Sequence, residues 1–273
     1  MQVQAVVLLY GRWAADWKLK LNAEKCKYFK ITLTRDFIES SFSIDGIALE
    51  NVKSIRDLGV IFDQKLTFAD HVNSIVAKSN RALGLLIRTF QSASPRCKLD
   101  KQAALAAYNA NVRSIIEYCS VIWSGAARCH LVRVERVQHK LLMWLARRTA
   151  FDGPSLAYCD LLSACNVSHL GARHAQFDIL FLCKLFKGLI SSSHLLECFR
   201  LHAPTRQTRI ATRSLLDVPF ARVITVSSGL FVRIPRIVND FLGFSPSSDI
   251  FYDSLWQLKR QILAYSSTVR PTM

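Results

Sequence analysis

The chain has 273 residues, of which 51% are hydrophobic. This composition excludes a disordered protein and suffices for one large domain or two ordinary ones, each with its own core. The formal net charge of +16 at pH 7, with an isoelectric point near 9.8, indicates a polyanionic partner, either nucleic acid or an acidic membrane surface. Residues 81–150 hold twelve Lys or Arg against three acidic residues, so we expect the binding surface there.

The sequence carries no signal for secretion or for membrane insertion. Its first residues lack a basic segment followed by a long apolar run, which a signal peptide requires. No apolar run approaches the roughly 18 residues of a membrane span. We therefore expect an intracellular protein of the nucleus or cytoplasm, with no transmembrane segment. The eight cysteines include no Cys-x-x-Cys pair, so we expect no metal ligands among them.

Residues 1–64 are predicted to form a helix followed by a small antiparallel sheet. Apolar residues recur every three or four positions up to about residue 18, which is the period of an amphipathic helix. Alternation over residues 28–34 predicts a strand. The Asp45-Gly46 pair predicts a two-residue hairpin turn, and residues 52–62 are predicted to add a further strand.

Residues 65–150 have helical spacing and are predicted to form a second domain of three helices, at about 67–90, 101–118 and 130–148. The turn signal at 151–154 marks a boundary to a third domain, 151–273. That domain is predicted to be mainly helical, with an irregular basic segment at 203–240.

Basic residues recur on the polar faces of the first and third of these helices. On the third helix they are spaced by three, four and seven positions, which places them on one side. Such a stripe suits contacts to phosphates that do not depend on base sequence, although it also fits an ordinary solvated helix face. The candidate phosphate contacts are Lys78, Arg81, Arg88, Arg133, Arg136, Lys140, Arg147 and Arg148.

Four segments, in order along the chain, resemble one family. Residues 17–26 (Trp-Lys-Leu-Lys-Leu-Asn-Ala-Glu-Lys-Cys) and then 57–61 (Asp-Leu-Gly-Val-Ile) resemble the end of the palm of a non-LTR, LINE-type retrotransposon reverse transcriptase. In that family a W-x-L-x-L-N-x-x-K-C segment precedes a Y-L-G-V primer-grip motif. Residues 108–123 resemble the family's thumb helix, with its Y-x-x-x-V-R-S-x-x-E-Y-x-x-x-x-W pattern. Glu135, Val137-Gln138 and Leu141 are similar to the helix that follows.

The resemblance implies an α+β fold, in which a palm remnant precedes a helical thumb and a helical carboxyl-terminal module. Leu58, Gly59 and Val60 match the primer grip. Gly59 either allows close approach to a nucleic-acid strand or simply forms a bend in a sheet, and both readings stay open. Lys25 matches the family's motif lysine, which in an intact enzyme lies near the incoming nucleotide.

The same resemblance places the catalytic carboxylates upstream of residue 17, in an aromatic-x-Asp-Asp signature. The sequence contains no Asp-Asp pair. We therefore expect no catalytic residue, no polymerase activity and no cofactor in the chain as given. An intact parent would be an RNA-directed DNA polymerase that uses Mg²⁺.

The sequence thus predicts a truncated, reverse transcriptase-like protein that binds RNA, DNA or their hybrid without sequence preference. One alternative is a fragment of an active RNA-directed DNA polymerase whose palm lies upstream. A second alternative is a helical interaction protein that binds acidic partners or anionic lipid. Because its first helix would pack on a palm in the intact enzyme, we also expect that helix to expose apolar side chains.

Overall fold

The computed structural model describes residues 2–32, 41–92, 100–148, 157–203 and 214–268. The chain separates into two units, residues 1–71 and 72–273. The division into three domains at 64/65 and 150/151 stays a prediction, and the turn expected at 151–154 lies outside the described residues. Within the described ranges, no helix combines the length and the hydropathy needed to cross a bilayer.

In its described residues, 2–32 and 41–71, the first unit contains one helix, three pairs of short strands and a 3-10 turn at Ala23–Lys25. Its elements are α1 (Gln2–Asp16), β1 (Lys27–Phe29), β2 (Ser43–Ile44), β3 (Ile47–Ala48), β4 (Glu50–Val52), β5 (Ser54–Asp57) and β6 (Val60–Asp63). Strand β1 pairs in parallel with β4, whereas β2 pairs antiparallel with β3 and β5 antiparallel with β6. The predicted α+β class is confirmed, but three two-stranded ladders, one of them parallel, replace the predicted single antiparallel sheet.

Two tight turns organise this unit. Asp45 and Gly46 have positive φ angles of 51° and 79° and connect β2 to β3, so the hairpin predicted at this pair is confirmed. Leu58 and Gly59 have φ angles of 43° and 88° and connect β5 to β6 in the same way. The prediction of one strand over 52–62 is therefore wrong, because the chain reverses direction at Leu58-Gly59.

Helix α1 exposes much of its apolar surface, as expected from the sequence. Leu8, Leu9, Tyr10, Trp13 and Trp17 are between 54% and 67% exposed. The rings of Trp13 and Trp17 pack on each other, with centroids 6.4 Å apart. A contiguous apolar surface of this kind is typical of an interaction face and promotes association in water.

The remaining elements are all helical. They are α2 (Ala69–Ser92), α3 (Lys101–Tyr108), α4 (Ser114–Glu117), α5 (Ser120–Trp123), α6 (Arg128–Arg148), α7 (Tyr158–Cys165), α8 (Leu170–Phe186), α9 (Ser193–Glu197), α10 (Ile224–Ser227), α11 (Leu230–Phe244) and α12 (Leu255–Thr268). The single helix predicted at 101–118 is interrupted by a π-helical turn at Asn109–Arg113 between α3 and α4. Cys119 then adopts a left-handed conformation, with φ of 50°, and separates α4 from α5.

The core of the second unit lies among α8, α11 and α12. Its fully buried side chains include Ile179, Leu182, Val238, Phe241 and Leu258. Each large aliphatic side chain buried in this way contributes about 1.5–3 kcal/mol. The core therefore holds the carboxyl-terminal helices as a packed scaffold beside α6.

The irregular structure predicted for 203–240 is contradicted from residue 224 onward, and residues 204–213 lie outside the described ranges. Helix α10 and then α11 occupy the second half of that segment. Ile234, Val238 and Phe241 are fully buried and recur at spacings of four and three, which is the helical period. Pro235 obscured this pattern, because proline is unfavourable inside helices, yet here it lies buried within α11.

A buried ion pair joins three helices of this unit. Arg233 of α11 donates from Nε to Asp178 Oδ2 of α8 (2.9 Å) and from Nη2 to Asp178 Oδ1 (3.2 Å). Its remaining donors bind the carbonyl oxygens of Val121 (2.7 Å) and Ser228 (2.8 Å). The Asp178 side chain is 1% exposed, so this arginine serves the fold and is not available to phosphates.

Candidate nucleic-acid interface

Helix α6 separates an apolar side from a cationic side. Its buried positions recur at helical spacing and are Val134, Val137, Gln138, Leu141, Leu142, Leu145 and Ala146. Arg133, Arg136, Lys140 and Arg147 are exposed, at spacings of three, four and seven. We call these four residues the cationic face. The structure thus brings together four of the eight predicted phosphate contacts on one helix surface, and Arg148 is exposed one position further on.

The one acidic residue of α6 is turned inward and does not offset this charge. The Glu135 side chain is 13% exposed. Its carboxylate accepts hydrogen bonds from the Tyr158 hydroxyl, from the Leu170 backbone N–H (3.1 Å) and from Gln138 Nε2 (3.3 Å). Burial raises the pKa of Glu135 to about 7, against these hydrogen bonds, which favour the ionised form. Near neutral pH the carboxyl is therefore partly protonated, and the exposed charge of α6 is entirely positive.

His169 stands beside Glu135 but does not form an ion pair with it. Its Nδ1 lies 3.4 Å from Glu135 Oε2, yet the same nitrogen accepts the backbone N–H of Gly171 at the start of α8 (3.1 Å). Burial lowers the pKa of His169 below its ordinary value. Because a nitrogen that accepts a hydrogen bond carries no proton, the imidazole is neutral and caps the helix.

Two side-chain hydrogen bonds connect α2 to α6. Arg133 Nη1 donates to Asn73 Oδ1, and Lys140 Nζ donates to Asn80 Oδ1 (2.9 Å). Both bonds join residues 60 apart in the chain and lie seven residues apart on each helix, so α2 and α6 run parallel at this point. Each cation keeps further donors free of these bonds, because lysine has three N–H groups and arginine has five.

The phosphate contacts predicted on α2 are exposed but do not take part in the hydrogen bonds described above. Lys78 and Arg81 are exposed, and within the described ranges neither takes part in the hydrogen bonds that join α2 to α6. Arg88 is exposed as well. These three side chains are therefore exposed on α2 and are not part of the cationic face, which lies on α6.

Other basic residues near this surface are engaged in the fold. Arg173 of α8 binds both carboxylate oxygens of Glu117, from Nε and from Nη2 (3.0 Å). Arg113 lies 3.6 Å from the same carboxylate. All three side chains are at most 23% exposed, so they stabilise the packing of α8 against α4.

The predicted primer-grip residues and the predicted motif lysine lie on separate elements of the first unit. Leu58 and Gly59 form the turn between β5 and β6, with Leu58 83% exposed, whereas Val60 is buried at 1%. Lys25 ends the 3-10 turn and is exposed, and its backbone N–H binds Asn22 Oδ1 at 3.2 Å. The positive φ of Gly59 explains why glycine stands there, since a residue with a Cβ is strained in that conformation.

A cavity that the sequence analysis did not predict lies beside α6. It has a volume of about 620 Å³ and lies among α6, α7, the start of α8 and the end of α12. Arg128 and Arg136 line it together with buried or partly buried groups such as Glu135, His169 and His174. Its residues come from segments up to 138 positions apart, between Arg128 and Ser266, so no local pattern predicts it.

Comparison with known proteins identifies similar polymerases. The RNA-directed DNA polymerase from the mobile element jockey of Drosophila funebris is 28% identical over 153 residues, which make up 56% of this chain and 16% of that protein. The probable RNA-directed DNA polymerase from transposon X-element of Drosophila melanogaster is 25% identical over 153 residues, 54% of this chain and 16% of that protein. The jockey polymerase of Drosophila melanogaster is 26% identical over 133 residues, 49% of this chain and 14% of that protein.

These matches cover no more than 16% of any of the three relatives. No family model matches the chain, and no solved structure matches it. The similarity nevertheless agrees with the palm-end and thumb motifs in the sequence. Over about half of its length, the chain is therefore similar to part of the RNA-directed DNA polymerases of these transposable elements.

Proposed function

We propose that this protein binds RNA, DNA or RNA–DNA hybrids without sequence preference, through the cationic face of α6. The observation that carries this proposal is the one-sided charge of that helix. Four exposed cations recur along one face, while the only acidic side chain of α6 is buried and partly neutral. The names of the similar proteins, all RNA-directed DNA polymerases, support a nucleic acid as the polyanion.

The spacing of the face supports contacts to a phosphate backbone. A helix rises about 1.5 Å per residue, so Arg133 and Arg147, fourteen positions apart, are separated by about 21 Å along the helix axis. A duplex places one phosphate about every 3.4 Å along each strand, so this length spans several phosphates. The hydrogen bonds to Asn73 and Asn80 hold two of the four cations in place, which reduces the side-chain entropy lost on binding.

We further propose that the chain as given does not polymerise. Phosphoryl transfer onto a primer needs carboxylates that hold Mg²⁺ on the incoming triphosphate. The sequence has no Asp-Asp pair, and within the described ranges no three His, Cys, Asp or Glu side chains form a group able to hold a metal ion. Primer extension with Mg²⁺ and all four deoxynucleotides is expected to yield no product, and extension above a no-protein control would refute this.

The binding proposal is tested by removing charge from the cationic face without disturbing the fold. Arg136 and Arg147 suit this purpose, because neither has a hydrogen-bond or ion-pair partner among the described residues. The double variant Arg136→Gln, Arg147→Gln is compared with Lys184→Gln, Arg236→Gln, which removes the same charge from exposed positions of α8 and α11. Binding to a fluorescently labelled RNA–DNA hybrid is measured by anisotropy over a series of salt concentrations.

The two variants are expected to differ in salt dependence. Each phosphate contact that is lost lowers the slope of log K against log salt by about 1, so the α6 variant is expected to lose about 2 from the slope. The control variant is expected to keep the wild-type slope. Equal slopes for the two variants would show that binding responds to net charge alone, and the assignment to α6 would be wrong.

A further inference from the structure

We propose that the cavity beside α6 takes up one unpaired base of the nucleic-acid strand that lies along the cationic face. This inference rests on the proposed function and specifies what the same surface recognises. It would make the protein prefer strands with an unpaired nucleotide over a fully paired duplex, still without dependence on the sequence around it.

The cavity has the size and lining of a site for a planar group. Its volume of about 620 Å³ falls within the range of about 300–1,000 Å³ that is usual for small-ligand sites. Three rings form a row in its lining. The His139 and Tyr158 ring centroids are 4.8 Å apart, and those of Tyr158 and His169 are 6.1 Å apart. These rings meet edge to face, at interplanar angles of 65° and 68°. An aromatic ring that lines a cavity can stack on a base, whichever base it is.

The lining also includes polar groups that an apolar ligand would leave unsatisfied. His174 is 6% exposed, and its Nε2 has no hydrogen-bond partner among the described residues. Burial and the nearby cations Arg233 and Arg173 lower the pKa of His174 to about 3, so the imidazole is neutral at pH 7. The unpartnered nitrogen of this neutral imidazole can form a hydrogen bond to the edge of a base.

The charges at the cavity favour a nucleotide as the occupant. Arg128 and Arg136 line the cavity and are exposed on α6, and Arg136 is also a member of the cationic face. A strand held on that face therefore passes the cavity with its phosphates near these guanidinium groups, which bind phosphate through paired N–H donors. An acidic peptide would match the arginines, but an apolar side chain from it would leave Nε2 of His174 buried without a partner.

The test compares two RNA–DNA hybrids that differ only in one unpaired 2-aminopurine nucleotide in the DNA strand. The wild-type protein is expected to bind the hybrid with the unpaired nucleotide about fivefold more tightly or better, since stacking one base contributes that much. The 2-aminopurine fluorescence is expected to fall further on binding, because stacking quenches it. Equal affinity for the two hybrids, with no added quenching, would overturn the inference while leaving the binding by the cationic face intact.

A variant that fills the cavity tests the location. Ala175 lines it on α8, and Ala175→Trp is expected to abolish the preference for the unpaired nucleotide. The matched control is Ser163→Trp, which adds the same indole at an exposed position of α7 outside the cavity and is expected to keep the preference. Loss of preference in both variants, or in neither, would refute the assignment.

A crosslinking measurement on the wild-type protein keeps the test valid if Ala175→Trp does not fold. An unpaired 4-thiothymidine in place of 2-aminopurine is expected to crosslink to residues in 128–139 or 158–175, and crosslinks confined to other segments would contradict the inference.

A fluorescein-labelled peptide of alternating glutamate and leucine serves as the competing occupant. If Ala175→Trp no longer binds this peptide but binds both hybrids as the wild type does, the cavity belongs to an acidic protein partner and the inference is overturned. If neither hybrid binds, both the proposed function and this inference fail.

Discussion

Replacement of Glu135 by glutamine is expected to remove a pH-dependent loss of stability. Burial raises the pKa of this carboxyl from its ordinary value of 4.5 to about 7 in the folded protein. Ionisation of Glu135 therefore favours the unfolded chain and lowers the free energy of unfolding. This loss is absent below pH 4.5, grows as the pH rises and is complete above about pH 7. The gap of about 2.5 between the two pKa values, at about 1.36 kcal/mol per pKa unit, corresponds to about 3 kcal/mol.

Glu135→Gln keeps an oxygen that accepts from Tyr158 and from the Leu170 N–H, but it cannot ionise. The free energy of unfolding in urea is measured for both proteins from pH 5 to pH 8. Buried neutral histidines, such as His174 with its pKa of about 3, destabilise the protein toward low pH, so the raw profiles mix both effects. The informative quantity is the difference between variant and wild type.

This difference is expected to rise by about 2.5 kcal/mol in favour of the variant between pH 5 and pH 8. A difference that does not change with pH would show that Glu135 is fully ionised in the folded protein. The argument that α6 carries no effective negative charge near neutral pH would then fail. Glu197→Gln, at an exposed position of α9, serves as the matched control.

Further predictions concern packing and turns, each measured as the free energy of unfolding in urea. Arg233→Met leaves Asp178 buried without its partner and is expected to lower the free energy of unfolding by about 3–5 kcal/mol. The control Arg236→Met, at an exposed position of the same helix, is expected to change it by less than about 0.5 kcal/mol. Similar losses for both variants would refute the role of the ion pair. Gly59→Ala is expected to cost about 1–2 kcal/mol because its φ is 88°. Gly84→Ala, in the interior of α2 with no neighbour within 4 Å, is expected to gain about 0.5–1 kcal/mol, and a loss there would contradict the helix geometry.

The sequence predicted the helices better than the strands and better than the contacts between helices. Helix α6 was recognisable because its apolar positions repeat with one period over 21 residues. Helix α11 was not, because Pro235 and the arginines around it masked the spacing of Ile234, Val238 and Phe241. The reversal of the chain at Leu58-Gly59 was not predicted, although a bend at Gly59 was one of the open readings, because leucine seldom adopts a positive φ.

In the candidate interface, too, the features set by local spacing were predictable and those set by distant contacts were not. The cationic face follows from spacing alone, because residues three, four and seven apart share a side of a helix. The inward position of Glu135 does not, since it depends on Tyr158 and on the start of α8, more than twenty residues away in the chain. The cavity depends on still more distant segments and became visible only in the folded structure.

The most direct test of the account is the affinity of the wild-type protein for an RNA–DNA hybrid and for anionic phosphatidylserine vesicles, each over a range of salt concentrations. If the four cations of the face each neutralise one phosphate, log K for the hybrid is expected to fall with log salt at a slope of about −3 to −4. The hybrid is also expected to bind more tightly than the vesicles at every salt concentration. A slope near zero, or vesicle binding that equals or exceeds hybrid binding, would contradict the proposal that α6 is a nucleic-acid interface.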